Sequence, residues 1–240
     1  MIFTMDGKIR YSEVGEDKKL TVTKLVNYLQ DSVMLHSEHV GEGIKSLGAR
    51  KEGWFLTAWQ IDIDEVPTVY DDVKVHTSPY DFKGGFGFRN FWMENTERKR
   101  MVAANSCWIF MDLDKMCPKK ITEEAMEPYL PMIPAIEMEY LPRKIKVPAD
   151  CQPLLPVKVT SDLLDSNHHV NNCQYIDVAM KVLELSRMPR RIRTEYKKAA
   201  VLGEVFHPFY KEENDNFLVD LQDGNGTTFA VVTFEYNIGE

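Results

Sequence analysis

The chain has 240 residues, of which 44% are hydrophobic and 28% charged, and its formal net charge is −8 at pH 7. This length allows one large domain or two small ones, and the composition is that of a folded protein rather than a disordered one. The acidic balance argues against broad nucleic-acid binding, which needs a positive surface. No apolar run reaches the ~20 residues that cross a bilayer, so we expect a soluble, cytoplasmic protein with no membrane partner.

The cysteines are widely spaced and form no C-x-x-C pair, which favours reduced thiols over a zinc or redox site. They are Cys107, Cys117, Cys151 and Cys173. The first ten residues contain no apolar run typical of a signal peptide. We also expect no transit peptide, and this favours a bacterial source.

The first half of the chain predicts one long helix followed by strands. From about Thr21 or Thr23 to Leu47, apolar residues recur at three- and four-residue steps, and Gly48 is a typical stop. Strand-like segments at hairpin spacing follow at Phe55–Ile63, Val73–Tyr80, Phe86–Glu94 and Met101–Met111. This order predicts an antiparallel sheet packed on a helix rather than alternating βαβ units.

Prolines concentrate between about Asp112 and Asp150. Proline at this density breaks regular elements, so the segment predicts an irregular connection with one short helix at Thr122–Tyr129. We therefore predict an N-terminal domain over residues 1–128, a Pro-rich linker over residues 129–150 and a C-terminal domain over residues 151–240.

The second half repeats the plan of the first with different residues. A short strand, Val157–Val159, precedes a loop, Ser161–Asn167, and a predicted helix from about His169 to Ser186. Predicted strands follow at Arg191–Ala200, Glu204–Tyr210, Phe217–Gln222 and Thr227–Tyr236. The predicted fold class is α+β, with one helix and one antiparallel sheet in each half.

The segment from Ser161 to Asn172 crowds polar and titratable residues at the predicted start of a helix. The imidazole of His169 can exchange a proton near neutral pH, and the carboxylate of Asp165 can orient that ring or a water. The amide of Asn167 can donate to a carbonyl oxygen on which negative charge builds. Together these groups fit hydrolysis of an acyl thioester. The alternative, in which Asp165 or Asn167 only caps the helix, stays open here.

Other chemistries find less support. The neighbouring His168 and His169 would diverge by about 100° on a helix and would rarely bind one ion together, so we predict no metal and no cofactor. No G-x-S-x-G nucleophile elbow and no phosphate-binding glycine loop occurs. The basic run between Arg187 and Lys198 is either a solvated face or a dock for an acidic partner.

Residues 165–176 read Asp-Ser-Asn-His-His-Val-Asn-Asn-Cys-Gln-Tyr-Ile, which resembles the signature of the acyl-ACP thioesterases. Three segments of the first half are also similar to that family: 10–15, 25–30 and 62–67. The likeness covers most of the chain. It identifies the chain as a bacterial member, similar to the plant fatty acyl-ACP thioesterases.

This resemblance implies two tandem hotdog domains, each a long helix wrapped by an antiparallel sheet. It implies hydrolysis of fatty acyl-ACP to free fatty acid and ACP in fatty acid biosynthesis, without a metal, and ACP bearing an acyl-phosphopantetheine thioester as partner. The catalytic Asp, Asn and His of the family fall on Asp165, Asn167 and His169. The first half has no Asn-x-His at its helix start, so one active site per chain is expected, and both a monomer and a homodimer fit.

One departure from the family concerns a further catalytic acid. Relatives carry it shortly after a Glu-Tyr-basic-basic stretch, which is here Glu-Tyr-Lys-Lys over residues 195–198, followed by Ala199. Either Asp165 activates the water, or Glu195 or Glu204 substitutes, or activity is low. The alternatives are a non-catalytic acyl-thioester-binding protein, a hotdog acyl-CoA thioesterase and, more weakly, a hydroxyacyl dehydratase.

Overall fold

The computed structural model describes residues 1–236, so the end of the predicted second domain, residues 237–240, lies outside the described residues. The chain divides into two compact units. The first contains Met1–Thr57 and Ile63–Leu141, and the second contains Ala58–Asp62 and the residues from Pro142 onward. Each unit combines helix with antiparallel sheet, which confirms the predicted α+β class. No helix within residues 1–236 is long and apolar enough to cross a membrane.

The first unit contains three helices and an antiparallel sheet in which β1, β3, β4, β5 and β6 are successive neighbours. The elements are β1 (Phe3–Lys8), α1 (Val22–His39), α2 (Ile44–Ala49), β2 (Glu52–Ile63), β3 (Asp72–Lys83), β4 (Phe86–Asn95), β5 (Arg100–Asp112), β6 (Cys117–Pro118) and α3 (Glu123–Met126). The predicted short helix near residue 122 is confirmed as α3 with a following 3₁₀ turn. Residues 58–62 of β2 belong to the second unit.

Helix α1 buries one stripe of apolar side chains, which confirms its predicted period. The stripe consists of Leu25, Val26, Leu29 and Val33. The predicted continuation to Leu47 is wrong, because α1 ends at His39 and a separate helix α2 begins at Ile44. The stop is Gly41, whose φ of +81° is the left-handed conformation that terminates helices.

The second unit contains one long helix and an antiparallel sheet ordered β9, β12, β11, β10, with β7 and β8 both paired to β10. Residues 58–62 pair with β9 on its other side. The elements are β7 (Gln152–Pro153), β8 (Val157–Lys158), α4 (Asn172–Val182), β9 (Arg191–Tyr196), β10 (Val205–Glu213), β11 (Asn216–Gln222) and β12 (Thr228–Glu235). The largest fully buried side chains of its core are Phe206, Phe229, Phe234, Ile61 and Ile176.

Helix α4 is shorter than predicted at both ends. It begins at Asn172 rather than His169, because the side chain of Asn171 accepts a hydrogen bond from the Cys173 N–H at 3.2 Å and caps the first turn. It ends at Val182 rather than Ser186, and Glu184 follows with φ +54°. The residues predicted to open the helix therefore lie in the loop before it.

A buried carboxylate closes the loop that leads into α1. Glu13 is 7% exposed and accepts hydrogen bonds from the Arg10 N–H at 2.8 Å, the Arg10 Nε at 3.0 Å and the Tyr28 hydroxyl at 2.9 Å. Burial works to raise the pKa of Glu13, but the donors of Arg10 and Tyr28 outweigh it and hold the pKa below its usual value. Folding is therefore coupled to ionisation of this side chain.

We expect Glu13→Gln to lower the free energy of unfolding by about 1–3 kcal/mol at pH 7, because charge-assisted hydrogen bonds are lost. Because the pKa of Glu13 is lower in the folded state, its carboxylate stabilises the fold at pH values above the unfolded pKa of about 4.3. This stabilisation is lost as the pH falls through the folded pKa. The difference from the native chain should therefore shrink below about pH 4, as measured by urea unfolding. Exposed Glu16→Gln is the control, and an equal loss at pH 7 and pH 3 would contradict the assignment.

Candidate active site

The predicted residues Asp165, Asn167 and His169 lie in one tight turn between a 3₁₀ turn at Ser161–Leu163 and helix α4. The turn closes on itself, because the Asp165 N–H donates to the His169 carbonyl at 2.7 Å and the His168 N–H donates to the Asp165 carbonyl at 3.1 Å. His168 occupies the left-handed region with φ +62°. The structure thus places the three predicted residues in one closed turn.

The carboxylate of Asp165 shapes this turn. Its Oδ1 accepts hydrogen bonds from the backbone N–H of Asn167 at 2.8 Å and of His169 at 3.2 Å. The hypothesis that Asp165 or Asn167 caps the helix is wrong, since Asn171 occupies the N-cap of α4. Asp165 holds the backbone of His169, and no hydrogen bond joins its carboxylate to the imidazole within residues 1–236.

A second contact fixes the loop from the other side. His169 pairs with Val201 as an isolated antiparallel bridge, and the Val170 N–H donates to the Ala200 carbonyl at 2.9 Å. The Ala200 N–H in turn donates to the Tyr175 hydroxyl oxygen at 2.8 Å. Burial raises the pKa of Tyr175 to about 12, so its hydroxyl stays protonated. Tyr175 thus ties helix α4 to the irregular segment that follows β9, beside the candidate site.

No structural or catalytic role is predicted for Tyr175 from the sequence. The only signal was its place in the signature-like stretch, because the contact with Ala200 spans 25 residues. Asn171, the helix cap, was likewise part of the stretch without an assigned role. Both residues position the loop, and neither has a proposed catalytic role.

The side chains of the turn differ in exposure. Asp165 and His169 are half-buried, whereas Asn167 and His168 are exposed. Within residues 1–236, neither the Asn167 amide nor the His169 ring makes a side-chain hydrogen bond. The amide can therefore donate to a bound carbonyl, and the ring can exchange a proton with a bound water.

The prediction that His168 and His169 lie on a helix, with side chains about 100° apart, is wrong. His168 and His169 both belong to the loop before α4. In the described part of the chain, no group of three His, Cys, Asp or Glu side chains is placed to hold a metal ion.

The two acids considered as substitutes at the Ala199 position both have structural contacts. Glu195 is 6% exposed, and its carboxylate accepts the Ile145 N–H at 2.9 Å. Glu204 accepts the Val201 N–H at 2.8 Å and pairs with Lys198 at 3.3 Å. Ala199 itself is exposed. Because Glu195 and Glu204 are held by these contacts, Asp165 is the candidate carboxylate that lies within the turn.

The first unit contains a loop with the same backbone hydrogen bonds. The Gly15 N–H donates to the Lys19 carbonyl at 2.9 Å, and the Lys18 N–H donates to the Gly15 carbonyl at 2.9 Å. Lys18 has φ +62°, the same value as the residue at the corresponding place in the second unit. Here Gly15, Asp17 and Lys19 stand where the second unit has Asp, Asn and His, so this loop has neither the amide nor the imidazole.

The basic run between Arg187 and Lys198 is largely paired with acids of the same unit. The pairs are Arg187 with Asp215 at 2.7 Å, Arg191 with Asp62 at 2.6 Å, Lys197 with Glu195 at 3.9 Å, and Lys198 with Glu204 and Asp223 at 3.3 Å each. Paired side chains offer a partner less attraction than free ones. The run therefore leaves little free charge for docking an acidic partner.

Comparison with known proteins places both halves of the chain in one family. The model of the acyl-ACP thioesterase N-terminal domain matches residues 1–129, and that of the C-terminal domain matches residues 149–237. A palmitoyl-acyl carrier protein thioesterase of Gossypium hirsutum is 29% identical over 99% of this chain. An oleoyl-acyl carrier protein thioesterase of Arabidopsis thaliana is 25% identical over 92%. The chain spans 59% and 66% of the lengths of these relatives.

Solved structures show the same fold. An acyl-ACP thioesterase of Bacteroides thetaiotaomicron superposes with a TM-score of 0.89 at 23% identity, covering 98% of both chains. A 12:0-ACP thioesterase of Umbellularia californica gives a TM-score of 0.84 at 18% identity, covering 98% of this chain and 97% of the other. These likenesses confirm the predicted tandem hotdog fold. Together with the family matches over both halves, they mean that the chain belongs to the acyl-ACP thioesterase family.

Proposed function

We propose that the chain hydrolyses the thioester of fatty acyl-ACP, releasing free fatty acid and ACP in fatty acid biosynthesis. The observation that carries this proposal is the closed turn of the second unit, which groups a carboxylate, an amide and an imidazole. The corresponding loop of the first unit lacks the amide and the imidazole, which supports one active site per chain. The proposed catalytic residues are Asp165, Asn167 and His169.

In this proposal the Asn167 amide donates to the thioester carbonyl oxygen, which becomes negative as water adds to the carbon. One such donor is typically worth ~10²–10³ in rate. Asp165 and His169 position the water and accept its proton as the new C–O bond forms. Collapse of the intermediate breaks the C–S bond, and the proton passes to the departing thiolate. The products are a fatty acid and the phosphopantetheine thiol, and no cofactor is consumed.

Asp165 serves this chemistry through its two oxygens. Oδ1 is held by two backbone N–H groups of the turn. Within residues 1–236, Oδ2 has no hydrogen-bond partner, so it remains for a water. A carboxylate fixed by backbone donors loses little freedom when it orients a water, and such preorganisation favours catalysis.

Release of free thiol from a panel of acyl-ACPs tests the proposed function directly. We expect turnover of acyl-ACP at a higher kcat/KM than of the matching acyl-CoA, since ACP is the proposed partner. A higher kcat/KM for acyl-CoA would favour the hotdog acyl-CoA thioesterase instead. Binding of acyl-ACP without any thiol release would favour the non-catalytic acyl-thioester-binding protein, a function that Ala199 and the structural contacts of Glu195 and Glu204 support.

The cytoplasmic location and the oligomeric state stay predictions. Size-exclusion chromatography with light scattering distinguishes the monomer from the homodimer, both of which fit two hotdog domains in one chain. We propose no nucleic-acid or membrane partner, in keeping with the net charge of −8.

We expect Ala199→Glu to raise kcat for acyl-ACP at least ~10-fold. A general base typically contributes ~10²–10⁴ in rate, and this chain has alanine where the family has its further catalytic acid. Ala199 is exposed, so the longer side chain should change the free energy of unfolding by less than about 0.5 kcal/mol. Ala199→Gln, of the same size but without the acid, is the matched control. An equal gain with Gln would mean that the added side chain and not its acid raises kcat, and no gain with Glu would mean that Asp165 and His169 already activate the water fully.

A further inference from the structure

A buried arginine lies inside the first unit, among residues that the proposed reaction does not use. Arg89 of β4 is 6% exposed, and its Nη1 donates to the Thr77 Oγ1 at 3.1 Å and contacts the His36 Nδ1 at 2.8 Å. Its guanidinium also lies over the ring of Tyr129, with Cζ 5.5 Å from the ring centroid. His36 of α1 and Thr77 of β3 are both fully buried.

Among the described residues, no acid faces this guanidinium. Arg89 forms no ion pair with any carboxylate among residues 1–236, and burial lowers its pKa to about 10. Buried arginines normally meet a carboxylate, because a charge without a counterion is costly in a protein interior. The groups that act on the neighbouring His36, after burial itself, are Arg89, the Met1 amino group and His39, and all of them lower its pKa, which reaches about 3.

The cluster also has donors without acceptors. Because an arginine only donates, the His36 Nδ1 accepts, and the ring is neutral with its proton on Nε2. That Nε2 is buried and has no hydrogen-bond partner within residues 1–236. The two hydrogen bonds of Arg89 in the described part of the chain both involve Nη1, so Nε and Nη2 remain for a ligand. A guanidinium offers its donors as a planar fork that matches a carboxylate.

Aromatic side chains surround these donors. Phe3 stacks on His36 with ring centroids 5.4 Å apart, and Tyr129 meets the same ring edge-on at 5.6 Å. Along β4, the side chain of Phe91 lies on the same face as Arg89 by two-residue alternation and is fully buried. A ligand here would meet positive donors at one end and apolar surface along its length.

We infer that Arg89 and His36 form a buried site in the first unit for the carboxylate of an aliphatic acid. The guanidinium supplies a bidentate fork, the imidazole supplies a third N–H, and the surrounding rings contact the hydrocarbon chain. The occupant supplies the negative charge that the described residues around Arg89 lack. This binding does not depend on the proposed thioesterase activity.

Thermal unfolding of the native chain with sodium decanoate and with methyl decanoate tests the inference, both kept below the micelle concentration of decanoate. At about a hundredfold excess over Kd, we expect decanoate to raise Tm by roughly 5–10 °C. The uncharged ester should raise it far less. Equal shifts with the acid and the ester would overturn the inference, and this comparison needs no variant.

Arg89→Met provides the second measurement. We expect it to weaken decanoate binding by about 10–100-fold, the worth of a charge-assisted hydrogen bond. Without ligand its Tm should equal or exceed that of the native chain, because a buried charge lacking a counterion is removed. Arg100→Met, at an exposed arginine of the same sheet, is the matched control and should leave decanoate binding unchanged. A lowered Tm with unchanged decanoate binding would show that Arg89 serves packing alone.

Two sources carry such a carboxylate: a free fatty acid, and an acyl chain that bears a carboxyl group at its far end. Activity measurements distinguish these two sources and rest on the proposed function. The Tm measurement does not rest on it, so failure of the proposed function and failure of this inference are distinguishable. Inhibition of thioester hydrolysis by decanoate that Arg89→Met relieves assigns the site to the free acid. Faster turnover of ω-carboxydecanoyl-ACP than of decanoyl-ACP, reversed by Arg89→Met, assigns it to the substrate.

Discussion

His169→Ala should lower kcat/KM for acyl-ACP hydrolysis by ~10²–10⁴, the usual contribution of a general acid–base group. The ring makes no hydrogen bond within residues 1–236, so its removal should leave the turn and the free energy of unfolding nearly unchanged. Thiol release measured at low acyl-ACP concentration gives kcat/KM directly. Added imidazole should restore part of the activity, because it replaces the missing base without altering the backbone.

The neighbouring histidine is the matched control for this variant. His168 is exposed and has φ +62°, a conformation that asparagine adopts readily, so His168→Asn keeps the turn while removing an imidazole. Its activity should stay close to that of the native chain. If His168→Asn lost as much activity as His169→Ala, the shape of the turn rather than the His169 ring would be the cause.

Asp165→Asn should lower kcat by ~10² while keeping the turn. The amide oxygen of asparagine can still accept the two backbone hydrogen bonds that the Asp165 Oδ1 accepts, from Asn167 at 2.8 Å and His169 at 3.2 Å. What it loses is the negative charge that attracts the proton of the water. Asp165→Ala loses both functions, so it should also lower the free energy of unfolding by about 0.5–2 kcal/mol, as does loss of other side-chain caps.

The first unit offers the control for this pair. Asp17 accepts the Lys19 N–H at 3.0 Å in the corresponding loop, which lacks the imidazole. Asp17→Asn should therefore leave both activity and stability near those of the native chain. Full activity in Asp165→Asn together with loss in Asp165→Ala would refute the catalytic role and leave Asp165 as the residue that shapes the turn.

The order of the long helices and of the strands that follow them was predictable, because burial on one face imposes a period that local reading detects. The additional elements β1, α2, β6 and β7 were not predicted. The sequence-based prediction misplaced helix ends where two signals competed. The apolar period continues past His39 to Ile44, whereas the backbone stops at Gly41. At α4, the polar residues before Asn171 suited both a helix start and a site, and only the capping hydrogen bond decides between them.

The candidate site was predictable to the extent that its residues are adjacent in the chain. Asp165, Asn167 and His169 lie within five positions, so their chemistry could be inferred together. Contacts between distant segments could not be inferred in this way. The hydrogen bond from Ala200 to Tyr175 depends on how the segment after β9 lies against α4, and the contact of Arg89 with His36 joins residues 53 apart in sequence.

The repeated loop hydrogen bonds of the two units suggest how such a chain diversifies. The backbone of the loop closes with Gly15 and Lys19 in one unit as it does with Asp165 and His169 in the other. Main-chain groups close the loop in both units, and in each an aspartate adds a side-chain acceptor, Asp165 in the second unit and Asp17 in the first. Because the main chain closes both loops, the residues at the other loop positions can differ between the two units without loss of the turn, and the first unit need not keep the residues that are proposed for catalysis in the second.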